Sequence, residues 1–220
     1  MPFCGLILQL YLGGFISFSD SSQSVRLFLN SGSIRRAQLL EQMGLRFEIV
    51  RYPILEAIRK TEKPYDYVVR MAREKSIAGY HEEGLVIGAD TIVVLKDTVI
   101  GKPLNRENAR ETLERLSGRH HLVLTAVSVY DGKRQKDIYS SSLVKMKHLS
   151  NRELDSYCKT GEPLDKAGSY AIQGIGGLFI ESISGSYSGI VGLPIQQTEE
   201  LLLSFNVDTW KYRISPETNS

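Results

Sequence analysis

Several stretches of this sequence place charged side chains where they could hold a phosphate chain. The first is Asn30-Ser31-Gly32-Ser33-Ile34-Arg35-Arg36, which runs from a strand-like segment into a helix-like one. A helix start offers unpaired backbone N–H groups and the positive end of the helix dipole. Gly32 lets the backbone approach a ligand, and Ser33 is placed to cap. Two arginines in the first turn oppose the dipole, and an anion among them, most commonly a phosphate, removes that conflict. The plain alternative is a Ser-capped helix with two solvated arginines.

Three further residues extend the pattern. Tyr67, Met71, Lys75 and Ala78 recur at helical spacing, so Lys75 sits in an apolar stripe and must either snorkel to solvent or meet an anion. Asp90 interrupts an apolar run at residues 85–95. A carboxylate there is costly unless it is paired or binds metal, or unless the run is two strands with Asp90 solvated in the turn between them. Lys102 follows in a short Gly-Lys-Pro loop. Arg35, Arg36, Lys75 and Lys102 as cations, with Asp90 and Glu56 as carboxylates, suit a polyphosphate held together with a divalent metal. Familiar nucleotide motifs are absent: the position five before Gly101-Lys102 is Lys96, and that before Gly132-Lys133 is Val127, so neither is a P-loop. Gly174, Gly176 and Gly177 lack the dinucleotide spacing, and no Gly-x-Ser-x-Gly elbow occurs.

These residues need elements to position them, and the hydrophobic pattern supplies an alternating α/β series. Strands are expected at residues 25–30, 47–50, 85–95 (as one or two), 121–130, 137–147 and 178–183. Helices are expected at residues 33–43, 64–78, 105–116, 151–160 and 194–205. Asn105 is the expected cap of the third helix, and Glu111 and Arg115 its i,i+4 pair. Asp131-Gly132 marks a hairpin turn.

Composition is that of an ordinary globular protein. The chain has 220 residues, 42% of them apolar and 24% charged, which excludes a wholly disordered or collagen-like chain. Its 27 basic and 25 acidic residues give a net charge of +2, too little to mark a dedicated nucleic-acid binder. Cys4 and Cys158 form neither a disulfide framework nor a zinc pattern, so a reducing cytoplasm is the expected compartment. Residues 2–18 are uncharged and lack the basic flank of a signal peptide. Residues 1–24 are expected to be a leader outside the fold, and only that run could anchor the chain to a membrane. Residues 25–212 are the expected domain and residues 213–220 a polar tail.

In combination the motifs resemble those of the Maf family of nucleoside triphosphate pyrophosphatases. The matching stretches are Ser31-Gly-Ser-Ile-Arg-Arg36, Tyr67-Val-Val-Arg-Met-Ala-Arg-Glu-Lys75, Gly88-Ala-Asp-Thr91, Gly101-Lys-Pro103 and Leu124-Thr-Ala-Val127. Gly161 to Gly174 and Gly185 to Pro194 add two more, all in family order. The resemblance implies an α/β fold, with a mixed sheet, flanking helices and two lobes around a deep cleft, usually in a homodimer. It implies hydrolysis between the α and β phosphates with a divalent metal, Mg²⁺ or Mn²⁺, and Asp90 as catalytic acid/base. Ser31, Ser33, Arg36, Lys75 and Lys102 are then expected at the phosphates, and Arg35, Thr91 and Gln173 at the groups that set substrate choice. Asp90 and Glu56 are the expected metal ligands. Tyr170-Ala-Ile-Gln-Gly174 resembles the branch acting on dTTP and UTP rather than on 7-methyl-GTP, and a glutamine amide matches the O4 and N3–H edge of uracil or thymine. The resemblance also suggests clearance of modified pyrimidine nucleotides and a link to division arrest. Ile34 departs from the family's usual proline, and the loop at Ile54-Leu55-Glu56 keeps one carboxylate where adjacent acids are usual.

Overall fold

A computed structural model describes residues 25–81 and 83–214. The expected leader, residues 1–24, and residues 215–220 of the expected tail lie outside the described residues. In chain order the first half contains β1 (Leu27–Asn30), α1 (Ile34–Gln42), β2 (Glu48–Val50), α2 (Pro64–Ala78), β3 (Leu85–Leu95), β4 (Thr98–Ile100) and α3 (Arg106–Leu116). The second half contains β5 (His120–Tyr130), β6 (Gln135–Met146), α4 (Asn151–Lys159), β7 (Ile180–Ser184), α5 (Tyr187–Val191), α6 (Ile195–Leu203) and α7 (Thr209–Ile214), with three 3₁₀ turns between α4 and β7. Among the described residues, no helix is long and apolar enough to cross a membrane.

The apolar run at residues 85–95 forms a single strand. Every residue of β3 except Thr91 is buried, as a strand covered on both faces requires. The mixed sheet runs β2-β1-β3-β5-β6-β7, with β4 added to β3. β2, β1 and β3 are parallel, and the pairs from β3 through β5 and β6 to β7 are antiparallel.

Strand pairing leaves one opening beside β3. β5 follows one edge of β3 from Val86 to Val94. The other edge is shared: β1 pairs with residues up to Gly88, and β4 pairs from Val93 onward. The stretch Ala89–Ile92 therefore has no strand beside it on that edge. It lies at the C-terminal end of β1, where open α/β sheets bind ligands. Asp90 and Thr91 fall in this opening, and as strand neighbours they point to opposite faces of the sheet.

Each face is packed differently. On the Asp90 face, α2 lays Val68, Met71 and Ala72 against Ile92, Val94, Leu124 and Ala126. The contact is close because β3 carries Gly88 there. A Cβ at Gly88 would stand 2.3 Å from the Ser76 amide nitrogen and 2.4 Å from the Ala72 carbonyl oxygen. On the Thr91 face, Leu39 and Leu40 of α1 join Leu29, Ile87, Ala89 and Val127 in one apolar cluster. Farther along β3, Leu113 and Leu116 of α3 cover Val93, Leu95 and Val123.

Several local expectations need revision. β4 is an unexpected strand, joined to β3 through Lys96 and Asp97, both at positive φ (49° and 63°), as a primed hairpin turn needs. No glycine marks that turn in the sequence. β7 begins at Ile180, because Leu178 and Phe179 belong to a 3₁₀ turn. In α3, Asn105 caps the Asn108 amide as expected, but the ion pairs run from Arg110 to Glu114 and across to Asp155 of α4. The expected pair of Glu111 with Arg115 does not form. α7 extends to Ile214, and Arg213 ties it to the Met43 carbonyl and to Glu199.

Candidate active site

β1 ends in Asn30, a buried residue whose amide joins three parts of the site. Its side-chain nitrogen donates to the carbonyls of Tyr52 (3.1 Å) and Lys75 (2.8 Å), and its Oδ1 accepts from the Tyr52 amide at 2.8 Å. The strand end, the loop after β2 and the last turn of α2 are thus held together beside the opening in the sheet.

α2 delivers Lys75 to that opening. Its Nζ donates to Asp90 Oδ1 at 2.7 Å and lies 2.7 Å from Glu56 Oε1. Lys75 therefore does not snorkel to solvent, and Asp90 is not in a solvated turn: both side chains are nearly buried, at 12% and 11% exposure. Burial pushes the Glu56 carboxyl up, but the Lys75 hydrogen bond and the charges of Lys75, Lys102 and Arg36 outweigh it and hold it below the usual carboxylate range. Tyr67, about two turns earlier on the same face of α2, is pushed up to about 12 by burial and by the charges of Asp90 and Glu56.

The loop that carries Glu56 is fastened to α2 by Arg70. Its guanidinium donates to both Glu62 oxygens (2.6 and 2.7 Å), to the Ala57 carbonyl (2.9 Å) and to Glu74 (3.1 Å). Glu56 is thus presented next to Lys75 although the loop has no regular structure.

On the opposite face of β3, α1 supplies Arg36. Its Nε donates to the Gly192 carbonyl at 3.0 Å, Nη2 to Thr91 Oγ1 at 3.1 Å and Nη1 to Ser31 Oγ at 3.3 Å. Burial draws the guanidinium below its ordinary value, against the raising influence of Asp90 and Glu56. Ser33 occupies the N-cap position of α1 but makes no side-chain cap; Ser31 Oγ instead accepts from the Ser33 amide at 3.1 Å. The capping bond expected of Ser33 is therefore not formed, and Ser31 fixes the backbone of the N-cap residue instead. Ile34, in place of proline, points outward and is 73% exposed, so the substitution removes no contact group.

A cavity of about 760 Å³ joins the two faces over the open edge of β3. Ser31, Ser33, Arg35, Arg36, Glu56, Lys75, Asp90, Thr91, Lys102 and Gln173, every site residue expected from sequence, line it. Lys102 reaches it from the loop after β4, and Gln173 from the segment between two 3₁₀ turns. That segment is fixed by Glu162, which accepts from the amides of Ile175 (3.0 Å) and Gly176 (2.9 Å) and from Tyr157 Oη (2.8 Å). Asn30, Thr125 and Glu162 were given no role of their own in the sequence, although each falls within a motif stretch named there.

The order of these groups along the chain agrees with a known family. The sequence profile described as Maf-like protein matches residues 26–205. The chain belongs to the Maf-like family. A dTTP/UTP pyrophosphatase of Vibrio parahaemolyticus is 44% identical to this Maf-like protein over 186 residues, covering 83% of this chain and 98% of the relative. Another dTTP/UTP pyrophosphatase, from Pseudoalteromonas atlantica, is 46% identical over 182 residues, covering 80% and 95%. Among solved structures, a HAM1 protein from Coxiella burnetii is similar with a TM-score of 0.46 and 14% identity, over 82% of this chain and 99% of that one.

Proposed function

We propose that this Maf-like protein is a nucleoside triphosphate pyrophosphatase acting on dTTP and UTP, held in a cleft between two lobes, and releasing the monophosphate and pyrophosphate. The observation that carries the reading is the convergence of Arg36, Lys75 and Lys102 with the carboxylates of Asp90 and Glu56 on one cavity. Relatives bearing that activity's name match nearly their full length.

In this reading the two free N–H bonds of Arg36, with Lys75 and Lys102, hold the triphosphate and offset charge that builds on the departing pyrophosphate. Ser31 and Ser33 border the same phosphates. Asp90 orients a water toward the α-phosphorus and takes its proton as the Pα–O–Pβ bond breaks in line. Gln173 pairs with the O4 and N3–H edge of the pyrimidine, and Arg35 and Thr91 border the sugar and base.

The carboxylates also suit a Mg²⁺ or Mn²⁺ ion. Lys75 Nζ lies 2.7 Å from one oxygen of each, so Glu56 and Asp90 stand close enough together that both would hold the ion. Among the described residues no group of three or more His, Cys, Asp or Glu side chains could hold a metal. Two carboxylates completed by substrate phosphates are a donor set that Mg²⁺ commonly takes. When bound, the ion supplies positive charge to the phosphate oxygens.

We place the enzyme in the cytoplasm as a homodimer with no nucleic-acid partner. A free Cys158 supports the reducing compartment and a net charge of +2 the lack of a nucleic-acid partner, while the homodimer rests on the family resemblance alone.

The test is pyrophosphate release from dTTP, UTP, CTP, GTP and 7-methyl-GTP with Mg²⁺ or Mn²⁺. Release from dTTP and UTP, lost in Asp90→Asn, supports the reading. A folded protein that binds dTTP but releases nothing from any nucleotide overturns it.

A further inference from the structure

Thr125 of β5 is fully buried and lies one strand away from the cavity, yet hydrogen-bond directions tie it to Arg36. Its Oγ1 is 2.7 Å from the Gly189 carbonyl oxygen and 2.9 Å from Thr91 Oγ1. A threonine hydroxyl has one hydrogen, and a carbonyl oxygen only accepts. The Thr125 hydrogen therefore goes to Gly189, and the hydrogen between the two hydroxyls comes from Thr91. Thr91 Oγ1 in turn accepts from Arg36 Nη2. The result is a one-way chain from Arg36 through Thr91 and Thr125 to Gly189.

The end of that chain is also fixed. Gly189 lies in the five-residue helix α5, whose C-cap is Gly192 at φ 134°. Both Gly192 and Leu193 amides donate to the Ser188 carbonyl, so the Gly189 carbonyl is left for Thr125. The Gly192 carbonyl accepts from Arg36 Nε. One helix end thus holds Arg36 twice, directly at Nε and through two hydroxyls at Nη2. With Nη1 on Ser31, the guanidinium plane has no free rotation, and its two remaining N–H bonds have one direction each.

We propose that Thr125 is a positioning residue for the phosphate-holding group Arg36, acting through Thr91, with the C-terminal end of α5 as the anchor. This rests on the reading of the cavity as a triphosphate site. Valine at position 125 has nearly the shape of threonine but neither gives nor accepts the hydrogen, so it frees Thr91 and lets the guanidinium turn.

The experiment measures binding of inorganic pyrophosphate by titration calorimetry and hydrolysis of dTTP by the same proteins. Thr125→Val is expected to weaken pyrophosphate binding about tenfold, the range for a hydrogen bond that holds a charged group. Thr125→Ser, which keeps the hydroxyl, is expected to restore it. Thr91→Val breaks the same chain one link earlier, so Thr91→Val/Thr125→Val should bind no worse than either single variant. In an Arg36→Ala background, Thr125→Val should change binding by less than about twofold. Unchanged binding in Thr125→Val, or an equal loss with and without Arg36, overturns the proposal. Should Thr125→Val fail to fold, the comparison of Thr91→Val with and without Arg36 reads the same chain. A wild-type protein that binds pyrophosphate but does not cleave dTTP overturns the reading of function while the Thr125 comparison still stands or falls on binding.

Discussion

Lys75 on α2 and Asp90 on β3 form an ion pair at 2.7 Å, and the same lysine nitrogen is 2.7 Å from Glu56. One cation thus serves two carboxylates beside an unpaired strand edge. Taking away either partner removes a different capability. Asp90→Asn keeps an oxygen for Lys75 but loses the proton acceptor, and is expected to lower kcat about 100-fold or more with dTTP binding retained. Lys75→Met leaves two carboxylates without their cation, and is expected to lower kcat/KM about 100-fold. Steady-state kinetics with dTTP check both, and an Asp90→Asn enzyme with near-normal kcat would sink the assignment.

Gln173 is exposed on the cavity wall and makes no hydrogen bond to Lys75, Asp90 or Arg36. Its removal should therefore act on recognition. Gln173→Ala is expected to raise KM for dTTP and UTP about tenfold, with kcat changed far less. A fall confined to kcat would contradict the base-pairing role.

Gly88 sets the spacing between α2 and β3. A Cβ there meets backbone atoms of Ser76 and Ala72, which cannot swing aside as a side-chain tip could. Gly88→Ala should destabilise the fold by about 3 kcal/mol, the upper part of the overpacking range, read as a shift in urea midpoint. Because the clash pushes Lys75 away from Asp90, activity of the folded fraction should fall as well. A variant with wild-type stability and kcat would show that α2 shifts freely.

His121 is buried on β5 with Nε2 2.8 Å from Tyr170 Oη, and Nδ1 has no partner. Burial and the nearby His120 pull its value down to about 4. The unfolded chain takes up a proton near 6.5, whereas the folded ring stays neutral until about 4. Stability should thus fall as pH drops through that window and be unaffected by this group above it. His121→Gln keeps a partner for Tyr170 and removes the titration, so its urea midpoint should change less between pH 6.5 and 4.5 than that of the wild type. Parallel curves would exclude the histidine as the source.

Much of the site was legible from residue type. Asp90 stood out because a carboxylate in an apolar run demands a partner, and Lys75 because a lysine in an apolar stripe demands an anion. Each turned out to be the other's partner. What the sequence could not reveal was the opening in the sheet, which depends on β4, a three-residue strand behind a turn with no glycine. Arg36 is held by Gly192, a residue 156 positions away, and no local pattern reports such a contact. Ser33 is the natural cap by sequence, yet its side chain makes no cap bond. Ser31 instead accepts from both the Ser33 amide and Arg36. Asn30 and Thr125 pass as ordinary strand residues until the neighbouring elements are placed.

Glu162 fastens the segment bearing Gln173 with one carboxylate, whereas Lys75 and Asp90 stand on a helix and a strand in backbone contact. In the proposed reading, the Lys75–Asp90 pair and the base-pairing Gln173 are therefore mounted on separate supports. Substitutions around residues 165–176 are then expected to alter the Gln173 contact without moving Lys75 and Asp90. Within the proposed site, retuning the Gln173 contact means rewriting a loop, whereas Arg35 and Thr91 share their helix and strand with Arg36 and Asp90 and cannot be altered so independently.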